Sequence, residues 1–262
     1  MTTPDRLRDG AAAAVILRVE RLAYGGRDLF RDFEARLLQG RFTALLGPSG
    51  VGKSTLLHLI AGIGPEDAAA TAEMADGAPA ARAAAFMGQR DLLLPWLTAL
   101  DNAALGARLR GEPLGPARER ARALLDAVGL GAATGLKPPA LSGGMRQRVA
   151  LARTLAEDRP IVLMDEPFSQ LDAITRHGLQ DTAARLLAGK TVLMVTHDPA
   201  EALRLGDIVW TLAGAPARLI EQAPPPGAPP RPLTAELAAA EARLLETLAR
   251  ESGEAGFGGA TP

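Results

Sequence analysis

An α/β fold with a mostly parallel core sheet is predicted from three features of the sequence. Ile161-Val-Leu-Met-Asp and Thr191-Val-Leu-Met-Val-Thr are short apolar runs without alternation, the pattern of parallel strands buried on both faces. Residues 173–188, between those runs, carry helical spacing. Phe42-Thr-Ala-Leu-Leu is a further such run, and it passes straight into a glycine-rich turn and a helix.

Val15–Leu22 reads as the first strand and Phe42–Leu46 as the next, with a helix from Lys53 to about Ala61. From Gly62 to Ala85 the chain is rich in Ala, Gly, Asp and Pro and weakly periodic, which predicts short strands and loops. Asp101–Gly129 has helical spacing interrupted at Gly111-Glu-Pro-Leu-Gly-Pro, so two helices joined by a turn are expected. After Pro138-Pro139 a helix is predicted from Ser142 to about Glu157, because serine is a good N-cap and Val149, Leu151, Ala152 and Leu155 form an apolar face. Residues 223–262 read as a proline-rich, semi-rigid linker, a helix from about Leu233 to Arg250 and a glycine-rich disordered end. Leu237, Leu244, Leu245 and Leu248 share one stripe of that helix, which predicts packing on the rest of the protein or on a second copy.

Twenty-nine Lys+Arg against 30 Asp+Glu leave a net charge of −1, which argues against a protein that coats nucleic acid. A composition that is 47% hydrophobic and 23% charged suffices for a real core and excludes wholesale disorder. Without cysteine there is no disulfide, no thiolate zinc site and no cysteine nucleophile, in keeping with a reducing compartment. No apolar run approaches the roughly 20 residues of a membrane-spanning helix. Met1–Arg6 carries charges of both signs and is followed by no export-signal pattern, so a chain that stays in the cytosol is expected.

Gly47-Pro-Ser-Gly-Val-Gly-Lys-Ser-Thr, running from Gly47 to Thr55, has the spacing of a phosphate-binding loop. The glycines Gly47, Gly50 and Gly52 let the backbone curl so that successive N–H groups face an anion; Lys53 adds a point charge, and Ser54 offers a magnesium ligand at a helix N-terminus. Pro48, Ser49 and Val51 complete the loop. Asp165 closes a buried strand, where it is placed to hold magnesium through its water shell, and neighbouring Glu166 could polarise an attacking water. Ser142, Gly143 and Gly144 open a second helix whose N-terminus can take a phosphate.

Together with Gln89, Leu141-Ser-Gly-Gly-Met-Arg-Gln, Ser169-Gln-Leu-Asp172 and His197, in that order, these motifs resemble an ATP-binding cassette (ABC) ATPase over residues 14–222. The resemblance implies a P-loop NTPase fold with a mostly parallel core sheet, an N-terminal antiparallel β part and a helical subdomain at about 90–157. It implies ATP and Mg2+ as ligands, with Ser54, Gln89 and Asp165 on the metal. Lys53 would hold phosphates, Glu166 would be the general base, and Gln89 and His197 would sense the γ-phosphate. It further implies a homodimer in which Ser142, Gly143 and Gly144 of one copy cap the nucleotide of the other and Asp172 bridges the copies. Tyr24 stands where the family stacks an aromatic on adenine, and Gln170 where it carries a small residue.

Leu94-Pro-Trp-Leu, following Gln89, is by composition either core or a partner groove. By resemblance it is the segment that lines the groove for a permease coupling helix in importers of the nitrate, sulfonate and taurine type and of thiamine-precursor pyrimidines. The expected function is therefore the ATPase subunit of a bacterial importer, peripheral on the cytoplasmic side of the inner membrane. Its expected partners are two membrane permease subunits and, indirectly, a periplasmic binding protein, with no nucleic acid. An efflux cassette, or one used in DNA repair or translation, is the alternative. Long coiled coils, zinc cysteines or a second fused cassette would mark the latter, and the sequence has none.

Overall fold

The computed structural model describes residues 12–65 and 68–254. The charged start of the chain and the glycine-rich end expected to be disordered lie outside them. In chain order the elements are β1 (Ala13–Tyr24), β2 (Arg27–Leu38), β3 (Phe42–Leu46), α1 (Lys53–Ile60), β4 (Ala69–Met74), β5 (Ala84–Met87), α2 (Ala99–Ala103), α3 (Leu105–Leu109) and α4 (Leu114–Ala127). They continue with α5 (Gly143–Ala156), β6 (Ile161–Asp165), α6 (Ala173–Leu186), β7 (Thr191–Val195), α7 (Pro199–Leu205), β8 (Ile208–Gly214), β9 (Ala217–Gln222) and α8 (Ala235–Glu254). The chain divides into two compact units, Met1–Arg82 with Thr191–Pro262, and Ala83–Lys190.

In the first unit, β1 pairs antiparallel with β2 on one side and with β4 on the other. Alternation sets its faces: Val15, Leu17, Val19 and Leu22 are buried, whereas Arg18, Glu20 and Arg21 are exposed. The β1–β2 connection is Gly25-Gly26 with φ of 57° and 80°, two positive values in succession, as a tight two-residue hairpin requires. In the same unit, β3 lies between β7 and β8 and parallel to both, while β9 runs antiparallel to β8. Every residue of β3 and β7 is buried, as their unbroken apolar runs demand. α7 packs on β3, and α8 packs on α7 and β8.

In the second unit β5 and β6 pair in parallel. Its helices α2, α4 and α5 pack on one another, burying Ala99, Ala103, Ala117, Ala121, Leu125 and Leu151. Small residues at these contacts let the helix backbones approach closely.

Two expectations are corrected and one is met. The helical stretch expected from Asp101 begins at Ala99, and its first half breaks at Ala104, where φ −88° and ψ 4° leave the helical region, giving α2 and α3. The weakly periodic stretch does hold short strands, β4 and β5, joined through a turn with Gly77 at φ 80° and Asp76 Oδ1 accepting from the Ala78 amide at 3.0 Å. On α8 the buried stripe is Leu237, Ala240 and Leu244; Leu245 is 49% exposed, and Leu248 is only half-buried. A spacing of three and then four residues keeps the first trio on one face, whereas Leu245 is turned about 100° from Leu244.

Candidate active site

In the first unit β3 delivers the chain to Gly47, Gly50 and Gly52, whose φ values of 153°, 77° and 109° are ones that side-chain-bearing residues rarely adopt. Space demands glycine as well. A Cβ on Gly47 would lie 2.4 Å from the Leu212 carbonyl oxygen of β8, and one on Gly52 would lie 2.8 Å from the Phe30 ring. Such a turn, closing onto the N-terminus of α1, makes a nest of backbone N–H groups suited to an anion. Lys53 Nζ donates to the carbonyl oxygens of Gly47 at 2.8 Å and Pro48 at 2.9 Å, which holds the ammonium across the loop. Ser54 and Thr55 are half-buried in the first turn of α1; Val51 is buried, Ser49 and Gly50 are exposed. The donor set fits a nucleotide's phosphates.

Tyr24 is 52% exposed at the end of β1, where the Gly25-Gly26 turn mounts it. His197 is exposed between two fixed points. Before it, the Thr196 hydroxyl accepts from the Asp198 amide at 3.1 Å. After it, the Asp198 carboxylate caps α7 by accepting from the amides of Ala200 at 3.0 Å and Glu201 at 3.3 Å.

In the second unit β6 ends at Asp165, which is buried, and the chain turns at Glu166 with φ 49°. A left-handed conformation at a side-chain-bearing residue costs of order 1–3 kcal/mol and persists only where its surroundings hold it. Here the Glu166 carbonyl accepts from Gln147 Nε2 at 3.0 Å and from the Ser169 hydroxyl at 3.1 Å. Gln147 Oε1 in turn accepts from the Gln170 amide at 2.9 Å. The Glu166 carboxylate accepts from Gln89 Nε2 at 3.2 Å.

Ser142 is the N-cap of α5, its hydroxyl accepting from the Met145 amide at 3.2 Å. A Cβ on Gly143 would stand 3.1 Å from Gln170 Oε1, and one on Gly144 would stand 3.0 Å from Leu171 and 3.3 Å from the Gln170 carbonyl. Gln170 thus packs against this glycine pair. Asp172 caps α6 through the Thr175 amide at 3.0 Å, and that hydrogen bond holds its carboxyl below the usual aspartate range. Asp165, Gln89 and Ser54 all offer oxygen donors of the kind magnesium takes beside substrate phosphates.

Beyond Gln89 the chain is tied down repeatedly. Arg146 pairs with the Asp91 carboxylate at 2.9 Å, and Arg153 donates to the carbonyls of Asp91 at 2.7 Å and Leu92 at 2.9 Å. Burial pushes the Arg153 guanidinium below its usual value, although nearby Asp91 and Glu157 oppose this. Buried Asn102 accepts from the Leu94 amide at 2.8 Å and donates to the carbonyls of Leu94, Leu97 and Thr98. On this scaffold Trp96 is 65% exposed and Pro95 is exposed, with Leu94 and Leu97 half-buried. Gln147, Arg146, Arg153 and Asn102 received no role from sequence. A buried amide or guanidinium in a helix is visible there only as a polar residue on an apolar face.

A strand, glycine loop and helix carrying Lys53, with a strand-end Asp165-Glu166 pair and a Ser142-capped helix, define a phosphate-loop nucleoside triphosphatase. The model of the family described as ABC transporter matches residues 30–169, and the chain belongs to that family as an ATP-binding subunit. It is 47% identical to an uncharacterized ABC transporter ATP-binding protein of Haemophilus influenzae, over 73% of this chain and 78% of that one. It is 45% identical to an aliphatic sulfonates import ATP-binding protein of Rhodococcus jostii, over 72% of this chain and 75% of that one. Among solved structures it is similar to the ATP-binding cassette MJ0796, in a dimeric post-hydrolysis state bound to ADP and Pi. There the TM-score is 0.67 and identity 30%, over 75% of this chain and 93% of the other.

Proposed function

We propose that this chain is the ATP-hydrolysing subunit of a bacterial ABC importer. It works as a homodimer on the cytoplasmic face of the inner membrane, beneath two permease subunits fed by a periplasmic binding protein. The cassette spans 14–222 with its helical subdomain at about 90–157, and 223–262 is an appended tail. Gly47–Thr55 hold the phosphates, Lys53 neutralises them, and Tyr24 stacks on the base. Ser54, Gln89 and Asp165 hold Mg2+, which when bound offsets phosphate charge. Glu166 takes the proton of the attacking water as its oxygen bonds to the γ-phosphorus and the bond to the β–γ bridging oxygen breaks, giving ADP and phosphate. His197 contacts the γ-phosphate, while Ser142, Gly143 and Gly144 reach the nucleotide of the other copy and Asp172 bridges the two.

The observation that carries this reading is the 3.2 Å hydrogen bond from Gln89 to the Glu166 carboxylate. It joins a side chain that can follow the γ-phosphate to the group that can accept the water's proton. Glu166→Gln should bind Mg-ATP yet turn it over about 10²-fold or more slowly, the usual loss of a positioned proton acceptor; turnover within a few-fold of the parent would remove Glu166 as base. The importer reading is supported by the activity named for the Rhodococcus relative and by exposed Trp96. For cargo we infer a small sulfonate, with a thiamine-precursor pyrimidine as the other solute the Trp96 segment suggests. Titrating the cognate periplasmic protein with an alkanesulfonate, taurine and a hydroxymethylpyrimidine tests this, and tight binding of a sugar or amino acid instead would overturn it.

A further inference from the structure

We infer that Arg231, in the tail beyond the cassette, is a positioning residue for His197. This rests on the reading above that His197 meets the γ-phosphate. Arg231 is 6% exposed, and a buried guanidinium is costly unless its donors are satisfied. Here they reach backbone carbonyls. One terminal nitrogen donates to Leu203 and Gly206, both at 2.8 Å, and Nε donates to Pro225 at 2.8 Å. The Arg231 amide adds a bond to the Arg204 carbonyl at 2.9 Å. The Leu203, Arg204 and Gly206 acceptors lie at the C-terminal end of α7, where carbonyls lack helical partners and a cation suits the helix dipole.

α7 is a seven-residue helix, too short to persist without support from outside itself. Its N-terminal end is capped by Asp198, the residue after His197. Its C-terminal end is held by Arg231, and α8 covers it, burying Leu237, Ala240 and Leu244. Beneath it lies β3, which leads into the phosphate cradle. The tail therefore fixes the far end of the helix whose near end fixes His197. A side chain reading a phosphate needs its position held within about 0.5 Å. Without Arg231 the two turns of α7 fray and His197 loses that register, while the cradle on β3 and α1 keeps its own contacts.

The test uses the full chain, with turnover normalised to nucleotide sites counted by titration with a non-hydrolysable ATP analogue. Arg231→Met should lower turnover per site about 10-fold and change analogue affinity less than about twofold, the signature of an interaction made in the transition state. Arg231→Lys, which keeps a cation within reach of one or two carbonyls, should recover part of the loss. In a His197→Ala background Arg231→Met should have little further effect, because residues acting through one group are non-additive. Parental turnover in Arg231→Met, or losses that multiply in the double variant, would overturn the proposal. Should Arg231→Met fail to fold, Leu237→Ala in the covering helix carries the same cycle, supporting the proposal if its loss vanishes in the His197→Ala background and overturning it if the losses multiply. A parent that does not hydrolyse Mg-ATP, or a Glu166→Gln variant as active as the parent, would instead refute the underlying reading before Arg231 is tested.

Discussion

Gln147 Nε2 donates to the backbone carbonyl of Glu166 at 3.0 Å, while its Oε1 accepts from the Gln170 amide at 2.9 Å. One buried amide side chain on α5 thus spans the turn that carries the candidate base. The same helix opens at Ser142, proposed to face the other copy's nucleotide. Gln147→Leu keeps a side chain of similar bulk but removes both hydrogen bonds that hold the turn, a cost of about 0.5–1.5 kcal/mol for each at these part-buried groups. We expect turnover to fall about 10-fold, equivalent to some 1.4 kcal/mol in the barrier, with ATP affinity nearly unchanged. Stopped-flow hydrolysis beside equilibrium nucleotide binding checks this; equal loss of binding would return Gln147 to a purely structural role.

Lys53 should separate from Glu166 by its effect on binding. Its ammonium lies across the loop on the Gly47 and Pro48 carbonyls, within the cradle itself. Because hydrogen bonds to charged groups contribute about 1.5–3 kcal/mol, Lys53→Ala should raise the Kd for Mg-ATP roughly 10- to 100-fold. Calorimetric titration that found an unaltered Kd would contradict the cradle assignment.

Trp96 offers a control for folding. At 65% exposure it contributes little to the core, so Trp96→Ala should leave melting temperature and basal ATPase near those of the parent. In membranes containing the permease, stimulation of ATPase should disappear, since a buried tryptophan is a common interface anchor. A drop in basal rate or thermal stability would mean that Trp96 supports its own unit.

Asp172 gives a pH-dependent effect with a defined sign. The Thr175 amide holds its folded-state pKa below the ordinary value of 3.8, so the carboxylate's contribution is present above that value and is lost as pH falls through the lowered one. Asp172→Asn removes the charge while keeping a capping oxygen. The melting difference between parent and variant should be small and constant near neutrality and should close under acid conditions below pH 3.8. A difference that widened on acidification would contradict the capping account.

The parallel strands and the phosphate loop were legible because each is a local pattern: apolar runs at Phe42, Ile161 and Thr191, and a spacing of glycines around Lys53. In the stretch that holds β4 and β5 short strands were legible but their bounds were not: Ala69–Met74 mixes alanines with Thr71 and Glu73, and the strand state of β4 comes from pairing with β1 rather than from propensity. The break at Ala104 was equally hidden, because neither neighbour is a helix breaker and the chain bends where α2 and α3 each pack on α5. Composition left Trp96 between core and surface. Its exposure is settled by Asn102 and by Arg146 and Arg153, which lie 6, 50 and 57 residues away in sequence. The left-handed turn at Glu166 had no local signal, since a glycine would be expected there on backbone grounds alone.

The bonds around residues 91–98 have a mechanical consequence. Arg146 and Arg153 grip the start of this stretch, and Asn102 grips it from Leu94 to Thr98. A loop so tethered has little slack, and its compliance is closer to that of a helix turn than of a linker. Load applied at Trp96 is then not absorbed by bending of the loop. The bonds through which it would leave the loop run from Asp91 and Leu92 to Arg146 and Arg153 of α5, the helix that carries Ser142 at its tip and Gln147 along its shaft.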